Sequence, residues 1–271
     1  MSHPSTGVEI RELASPGELH ELTRVFDDVW HPDPGRRPVS ADMLRALSHA
    51  GNYVAGAFVG DRLAGGSVGF YAAPAGTTLH SHITGASRIG RGHNVGHALK
   101  LHQRDWARSR GLRSITWTFD PLVARNAYFT IAELGAVPVA YYRDFYGELS
   151  DELAGADERD RLLVTWPVDA PEPEPTTETV DDVLATGARL IIELDDDRPR
   201  VVTDIPVGDT LLIPVPRDIE AMRRSRPVAA SHWRLAVRDA LTPVFATNGT
   251  MLTHRTRFLR SGHYVVEPID R

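Results

Sequence analysis

The chain has 271 residues, 42% of them hydrophobic and 24% charged, with a formal net charge of -6. That length holds one large domain or two small ones, and the negative balance excludes a generally basic nucleic-acid-binding surface. There is no cysteine, which excludes disulfides, thiolate metal sites and a cysteine nucleophile, and which suits a reducing, cytoplasmic setting.

No apolar run approaches the roughly 18 residues of a membrane span, so no membrane partner is expected. Met1-Ser2-His3-Pro4 shows neither a basic nor an apolar leader region, which predicts no signal peptide.

Val8 to Leu13 alternates apolar and polar residues and predicts a first strand. Ser15-Pro16 then reads as an N-cap and first helical residue. Leu19, Leu22, Val25, Phe26 and Val29-Trp30 follow at helical spacing to about His31. Ser40 caps a second helix, with Met43, Leu44 and Leu47 on its buried side and Gly51-Asn52 at its end. Tyr53–Val59 and Leu63–Ala72 form a predicted hairpin about Gly60-Asp61. Its second strand carries Gly65, Gly66 and Gly69, a sign of a bulge or of close approach by another group.

Thr78–Ala86 is the next predicted strand, and a helix from Val95 to Arg110 follows, with Val95, Leu99, His102 and Trp106 on one face and Gly111 as its C-cap. Ser114–Phe119 is a short strand. Asp120-Pro121 opens a helix to about Leu134, closed by Gly135. Strands are predicted at Tyr141–Tyr146 and Leu162–Trp166.

Residues 167–177, rich in proline and glutamate, predict an extended linker. Beyond it come a short helix (Val180–Leu184) and strands near Ala188–Leu194, Arg200–Asp204 and Thr210–Val215. A long helical stretch from Asp218 to Phe245 and strands near Met251–Phe258 and His263–Glu267 complete the chain. The expected division is therefore 1–167, a linker at 168–177, and a C-terminal α+β extension at 178–271.

Arg91-Gly92-His93-Asn94-Val95-Gly96 lies between the strand Thr78–Ala86 and the following helix. A glycine-rich turn at a helix start aims backbone N–H groups at one point, where the helix dipole adds partial positive charge; this is a seat for phosphate or pyrophosphate. The same composition also serves plain structural turns.

The order of elements, together with Arg91 in the first and Gly96 in the last position of an Arg/Gln-x-x-Gly-x-Gly/Ala turn, resembles the GNAT acyl-CoA N-acyltransferases over residues 8 to 166. The runs Leu79–Gly85, Arg91–Lys100, Thr116–Leu122 and Arg125-Asn126-Ala127 resemble a bacterial subgroup of predicted acyltransferases that carries a similar C-terminal extension. The resemblance implies an α+β fold with a central, mostly antiparallel twisted sheet flanked by helices. It also implies an acyl-CoA co-substrate, acetyl-CoA or succinyl-CoA, with no metal, and a small-molecule amine such as an amino acid as acceptor. This fold class often pairs, so a homodimer is among the expected partners. Asn94 departs from the pattern where the middle glycine usually stands. Asparagine enters the left-handed region more readily than other non-glycine residues, which lets the turn survive, but its side chain can crowd the pyrophosphate.

On this resemblance, Thr84, Gly85 and Ala86 pair with the pantetheine amides. The N–H groups of Gly92, His93, Asn94, Val95 and Gly96 hold the pyrophosphate, Arg91 adds charge, and Asn126 bonds the pantetheine arm or is a plain surface residue. His80 and His82, two apart on one strand, are candidate bases or hydrogen-bonded core residues. The family's acid, a tyrosine four residues before the glycine that ends its fourth helix, corresponds here to Ile131; Tyr128, a turn earlier, is the substitute candidate or a packed core residue. Trp30 is a candidate substrate wall or ordinary core.

Three further patterns carry weaker readings. His93 and His97 have metal-ligand spacing. Glu193–Asp197 reads as a solvated turn. Arg234 and Arg238 read as a solvated basic face or as a grip for a carboxylate of substrate or donor. The competing functional class is a non-catalytic GNAT-like protein that binds CoA or serves as a regulatory scaffold.

Overall fold

A computed structural model describes residues 7–32, 37–147, 158–196, 198–202, 208–245 and 254–269. The chain is mixed α+β. By contacts it divides into two compact units, and the division falls at Trp117 rather than at the proline-rich stretch. The first unit comprises the described residues up to Trp117 with Pro167–Asp169; the second comprises the rest.

In the first unit, strands β1 (Val8–Glu12), β2 (Tyr53–Val59), β3 (Arg62–Ala72) and β4 (Thr78–Ala86) are neighbours in chain order and antiparallel. β5 (Ser114–Phe119) runs parallel to the start of β4. Helix α1 (Pro16–Trp30) starts at a capping box: Ser15 and Glu18 satisfy each other's backbone N–H groups. Its Leu19, Leu22 and Phe26 bury against Val54, Leu63 and Val68 on one sheet face, joined by Leu44 of α2 (Ala41–His49). Helix α3 (Val95–Ser109) covers the other face, where Val95 and Leu99 meet Ala57 and Ala64. Met43 departs from expectation: it is 54% exposed, because the single buried row of α2 runs through Leu44 and Leu47.

The second unit pairs β6 (Val137–Tyr142) with β7 (Arg161–Pro167) antiparallel. A four-stranded sheet has the order β12-β13-β11-β8, from β8 (Arg189–Leu190), β11 (Leu211–Pro214), β12 (His254–Leu259) and β13 (His263–Pro268). β9 (Ile192–Asp195) and β10 (Arg198–Val201) form a hairpin. A small core of Val183, Ala188, Leu212, Leu259 and Val265 sits under α5 (Val180–Ala185).

Several boundaries differ from the sequence reading. Asp120 does not cap a helix; α4 spans only Ala124–Ala127 and passes into a π-helix, Tyr128–Glu133. β6 begins four residues before Tyr141 and ends at Tyr142, where a turn follows. The stretch from Asp218 is broken into α6 (Ile219–Ser225) and α7 (Pro227–Leu241). Arg226, at φ -144° and ψ 64°, is driven out of the helical region by the proline ring that follows it. Residues 203–204 and 251–253 of the predicted strands lie outside the described residues.

Candidate active site: a donor turn and a bulged strand

The turn after β4 is built by three backbone choices. Ser87 caps a short 3₁₀ turn, Arg88–Gly90, and its N–H and hydroxyl both donate to the Ala64 carbonyl, at 2.8 and 3.0 Å. Gly92 then takes φ +78° and Asn94 takes φ 53°, ψ 33°, the left-handed conformation expected of it. Asn94 stands at the N-cap of α3 but its side chain caps nothing. His93 N–H donates to the Gly90 carbonyl at 3.2 Å, so this amide, expected to face a ligand, is spent inside the turn. The N–H groups of Gly92, Asn94, Val95 and Gly96 find no acceptor among the described residues. A Cβ at Gly92 or Gly96 would meet no atom within 4 Å, so the space beside these two residues is open. Free donors, open space and the start of a 15-residue helix suit a phosphate group. Arg91 is exposed beside them.

β4 has a fault in its middle. Val68 pairs with Ile83 but Gly69 pairs with Ser81, leaving His82 as an extra residue. The alternation of faces switches there. Before the bulge Leu79 and Ser81 face α3; after it Thr84 takes that face, bonded to Ser67 at 2.7 Å, while Gly85 turns to α1. β5 pairs with β4 only over Thr78–His80, against Ser114–Thr116. Beyond this fork the β5-side edge of Ser81–Ala86 has no strand partner among the described residues, and its amides are free for a peptide-like ligand. Trp30 is half-buried, stacks edge-on against Phe26, and lies over Gly85, where any Cβ would come within 2.5 Å of its ring. Gly85 is thus a site of close approach, and Trp30 both packs and walls the strand.

The strand brings both histidines to one aromatic neighbour: the Phe70 ring lies 5.2 Å from that of His80 and 5.8 Å from that of His82. His80 Nδ1 lies 3.3 Å from the Thr116 hydroxyl. Burial, with the charges of His82 and Lys100 adding to it, pulls the His80 imidazole down to about 4. His82 is exposed as a residue, yet desolvation of its ring also lowers its affinity for a proton. A base near 4 is poorly matched to work at neutral pH, which favours His82 of the two. His102 serves structure: its Nδ1 lies 2.9 Å from the Tyr53 hydroxyl.

Lys100 is the feature that sequence reasoning missed. It is 4% exposed on α3, with Nζ donating to Ser81 Oγ at 2.8 Å and to Gln103 Oε1 at 3.3 Å, and lying 4.0 Å over the Trp117 ring. Among the described residues no carboxylate pairs with it. Burial pulls it down to about 7. Its signal was available: Lys100, Gln103 and Ala107 continue the buried face of α3 at offsets of three and seven, so the lysine falls where an apolar residue belongs.

The second unit holds the remaining candidates. Asn126, on α4, is exposed with a free side chain among the described residues. Tyr128 opens the π-helix, and its hydroxyl accepts from Arg260 at 3.1 Å. Ile131 is buried core.

Arg234 and Arg238 overturn the expected solvated face. They are 2% and 7% exposed and grip the chain's own carboxylates. Arg234 binds Asp120 through both terminal nitrogens, at 3.0 and 2.9 Å, and Arg223 adds a contact at 2.7 Å. Burial alone would raise Asp120, but Arg234 and Arg223 outweigh it and hold the carboxyl well below its ordinary range. Arg238 binds Asp160, which also accepts from the Tyr141 hydroxyl at 2.6 Å. The acidic run Glu193–Asp195 is exposed on the β9/β10 hairpin, with Asp197 outside the described residues. Among the described residues no group of three or more His, Asp or Glu is placed to hold a metal ion, and no helix is long and apolar enough to cross a membrane.

No family model matches the sequence, and no curated protein matches it. Solved structures do. Ard1 from Thermoplasma volcanium shares 17% identity, with 60% of this chain and 99% of that chain covered and a TM-score of 0.46. A putative acetyltransferase of the GNAT family from Desulfovibrio desulfuricans shares 17% identity, covering 59% of this chain and 99% of its own, at a TM-score of 0.46. The ribosomal-protein-S5-alanine acetyltransferase from Vibrio fischeri shares 14%, covering 64% and 100%, at 0.48. Each is a protein that this chain is similar to over about three-fifths of its length.

Proposed function

We propose that the chain is an acyl-CoA-dependent N-acyltransferase that moves an acetyl or succinyl group from CoA to a primary amine of a small molecule such as an amino acid. The observation that carries this reading is the turn at the start of α3, where four backbone N–H groups have no acceptor among the described residues and follow directly on the free edge of β4. Gly92, Asn94, Val95 and Gly96 hold the pyrophosphate, and Arg91 adds charge. Thr84, Gly85 and Ala86 offer strand amides to pantetheine, and Asn126 is carried over from the resemblance as a further pantetheine contact. One N–H group of Thr84–Ala86 is the donor to the thioester oxygen as charge builds on it.

In this reading the amine nitrogen attacks the thioester carbonyl carbon, the C–S bond breaks, and sulfur leaves with the electron pair. His82 accepts the proton that the amine must lose, directly or through water. Tyr128 is the candidate donor of a proton to sulfur; its hydroxyl oxygen accepts from Arg260, which leaves its hydrogen free to be given.

The test is a thiol-release assay crossing acetyl-CoA and succinyl-CoA with amino acids of both configurations. Thiol release that depends on one acceptor class supports the proposal. Stabilisation by CoA with no thiol release from any pair would instead favour the non-catalytic CoA-binding reading.

A further inference from the structure

We propose that Lys100 is the group that meets the sulfur of CoA at the fork of β4 and β5, pairing with the departing thiolate and giving it a proton. The inference rests on the acyl-CoA reading above and names a second proton donor within it.

The argument starts from where the ammonium sits. β4 and β5 last pair at His80 and Thr116, so Ser81 and Trp117 are the first residues past the fork. Both face α3, and Lys100 bridges them, its Nζ bonded to Ser81 and seated over the Trp117 ring. A peptide-like arm anchored by phosphate at the donor turn and running back along the free edge from Ala86 reaches the fork after five strand steps, about 17 Å. Its far end then lies beside Ser81, to which Lys100 is bonded.

The surroundings ask for an anion. A buried ammonium normally has a carboxylate partner, because isolated charge is costly to bury. Lys100 has a hydroxyl, an amide oxygen and a ring face, and the titratable group whose charge it feels, His80, is a base. A methionine or leucine would fill the same space at lower cost. A thiolate released at the fork supplies the missing negative charge. The step balances: sulfur holds the electron pair of the broken C–S bond, one N–H bond of Lys100 breaks as S–H forms, and the neutral amine regains a proton from solvent or from the one His82 took. An ammonium pulled down to about 7 is suited to give a proton near neutral pH.

The experiment compares free CoA with desulfo-CoA, which lacks the thiol, by calorimetry on the full-length protein and on Lys100→Met. The expected result is that wild type binds CoA at least tenfold more tightly than desulfo-CoA, and that this preference disappears in Lys100→Met while desulfo-CoA binds both proteins alike. An equal preference in both proteins overturns the proposal, as does a Lys100→Met protein that loses both ligands equally, since that marks a purely structural lysine. A variant-free arm guards against misfolding: the ultraviolet thiolate absorbance of CoA bound to wild type should titrate at least one pH unit below that of free CoA, and an unshifted titration overturns the proposal. If wild type binds neither ligand, the acyl-CoA reading falls first and this inference with it.

Discussion

Asn94 is the residue on which the donor turn depends. At φ 53° it adopts a conformation that costs most side chains about 1–2 kcal/mol but costs asparagine less. Asn94→Ala should therefore lower stability by about 1 kcal/mol in urea denaturation, and Asn94→Gly should match wild type or exceed it. If the amide side chain crowds the pyrophosphate, Asn94→Gly should also bind CoA more tightly. At Gly96 the backbone is helical and the space outside it is open, so Gly96→Leu should fold as well as wild type or slightly better. It should nonetheless lose CoA affinity by more than tenfold, because its side chain fills the space above the free N–H groups. Undiminished affinity in Gly96→Leu would remove the turn as the phosphate seat.

Lys100 makes a second residue-scale prediction, in stability rather than binding. Its folded-state value near 7 lies below the value of about 10.4 for an unfolded lysine. Between those values the unfolded chain binds a proton that the folded chain does not, so this group makes stability rise with pH. Its penalty is complete below about pH 7 and is relieved as pH approaches 10. Lys100→Met should be more stable than wild type at pH 6 by about 1–4 kcal/mol, with the difference shrinking towards pH 10. Chemical denaturation at several pH values measures this, and a variant less stable than wild type at pH 6 contradicts it.

Among the elements, those whose signals are local were legible in the sequence. The Ser15 cap of α1, the Ser40 cap, and the spans of β4 and β5 depend on neighbours a few residues away, and they stand where the pattern placed them. What was not legible depends on partners far along the chain. Asp120-Pro121 has the local form of a helix start, but the Asp120 carboxyl is claimed by Arg234, 114 residues on, and the helix begins only at Ala124. Arg234 and Arg238 look like a wet face until Asp120 and Asp160 are brought against them. The bulge at His82 is invisible in β4 itself, because it is defined by pairing with β3; the glycines of β3 hinted at it without locating it. In the candidate site, the turn was legible as a composition, while the loss of the His93 amide to Gly90 was not.

The Asp120 cluster joins three elements of the second unit: the segment before α4, α6 through Arg223, and α7 through Arg234. Removing one partner of a buried ion pair strands the others, at about 3–5 kcal/mol. Asp120→Ala should cost that much by equilibrium denaturation. Adding Arg234→Met should cost less than the sum of the single changes, because both break one interaction. Strict additivity would show that the pair is not coupled.

At the scale of the whole molecule, the proline-rich stretch does not separate two self-sufficient parts. Residues on its two sides share the interior of the second unit. Besides the Asp120 and Asp160 pairs, the buried Tyr264 hydroxyl donates to the Pro121 carbonyl at 2.8 Å. Pro173, within the stretch itself, packs on Gly135, where a Cβ would lie 2.8 Å from its ring. Composition marked 168–177 as a linker because proline and glutamate suit extended, hydrated chain. The segments that those residues connect are held together by buried charge. A fragment ending at Pro167 would leave Asp120 without Arg223 and Arg234 and Asp160 without Arg238, and would expose the Tyr141 and Pro121 surfaces that α7 and β13 cover. We therefore expect residues 1–167 produced alone to lack a cooperative thermal transition and to be inactive in the thiol-release assay, even though every residue proposed to bind CoA lies within them. A fragment that melts cooperatively within a few degrees of the full chain would show that the C-terminal part is an accessory; an ordered fragment that binds CoA but has lost its choice of amine would instead place acceptor recognition in residues 178–271.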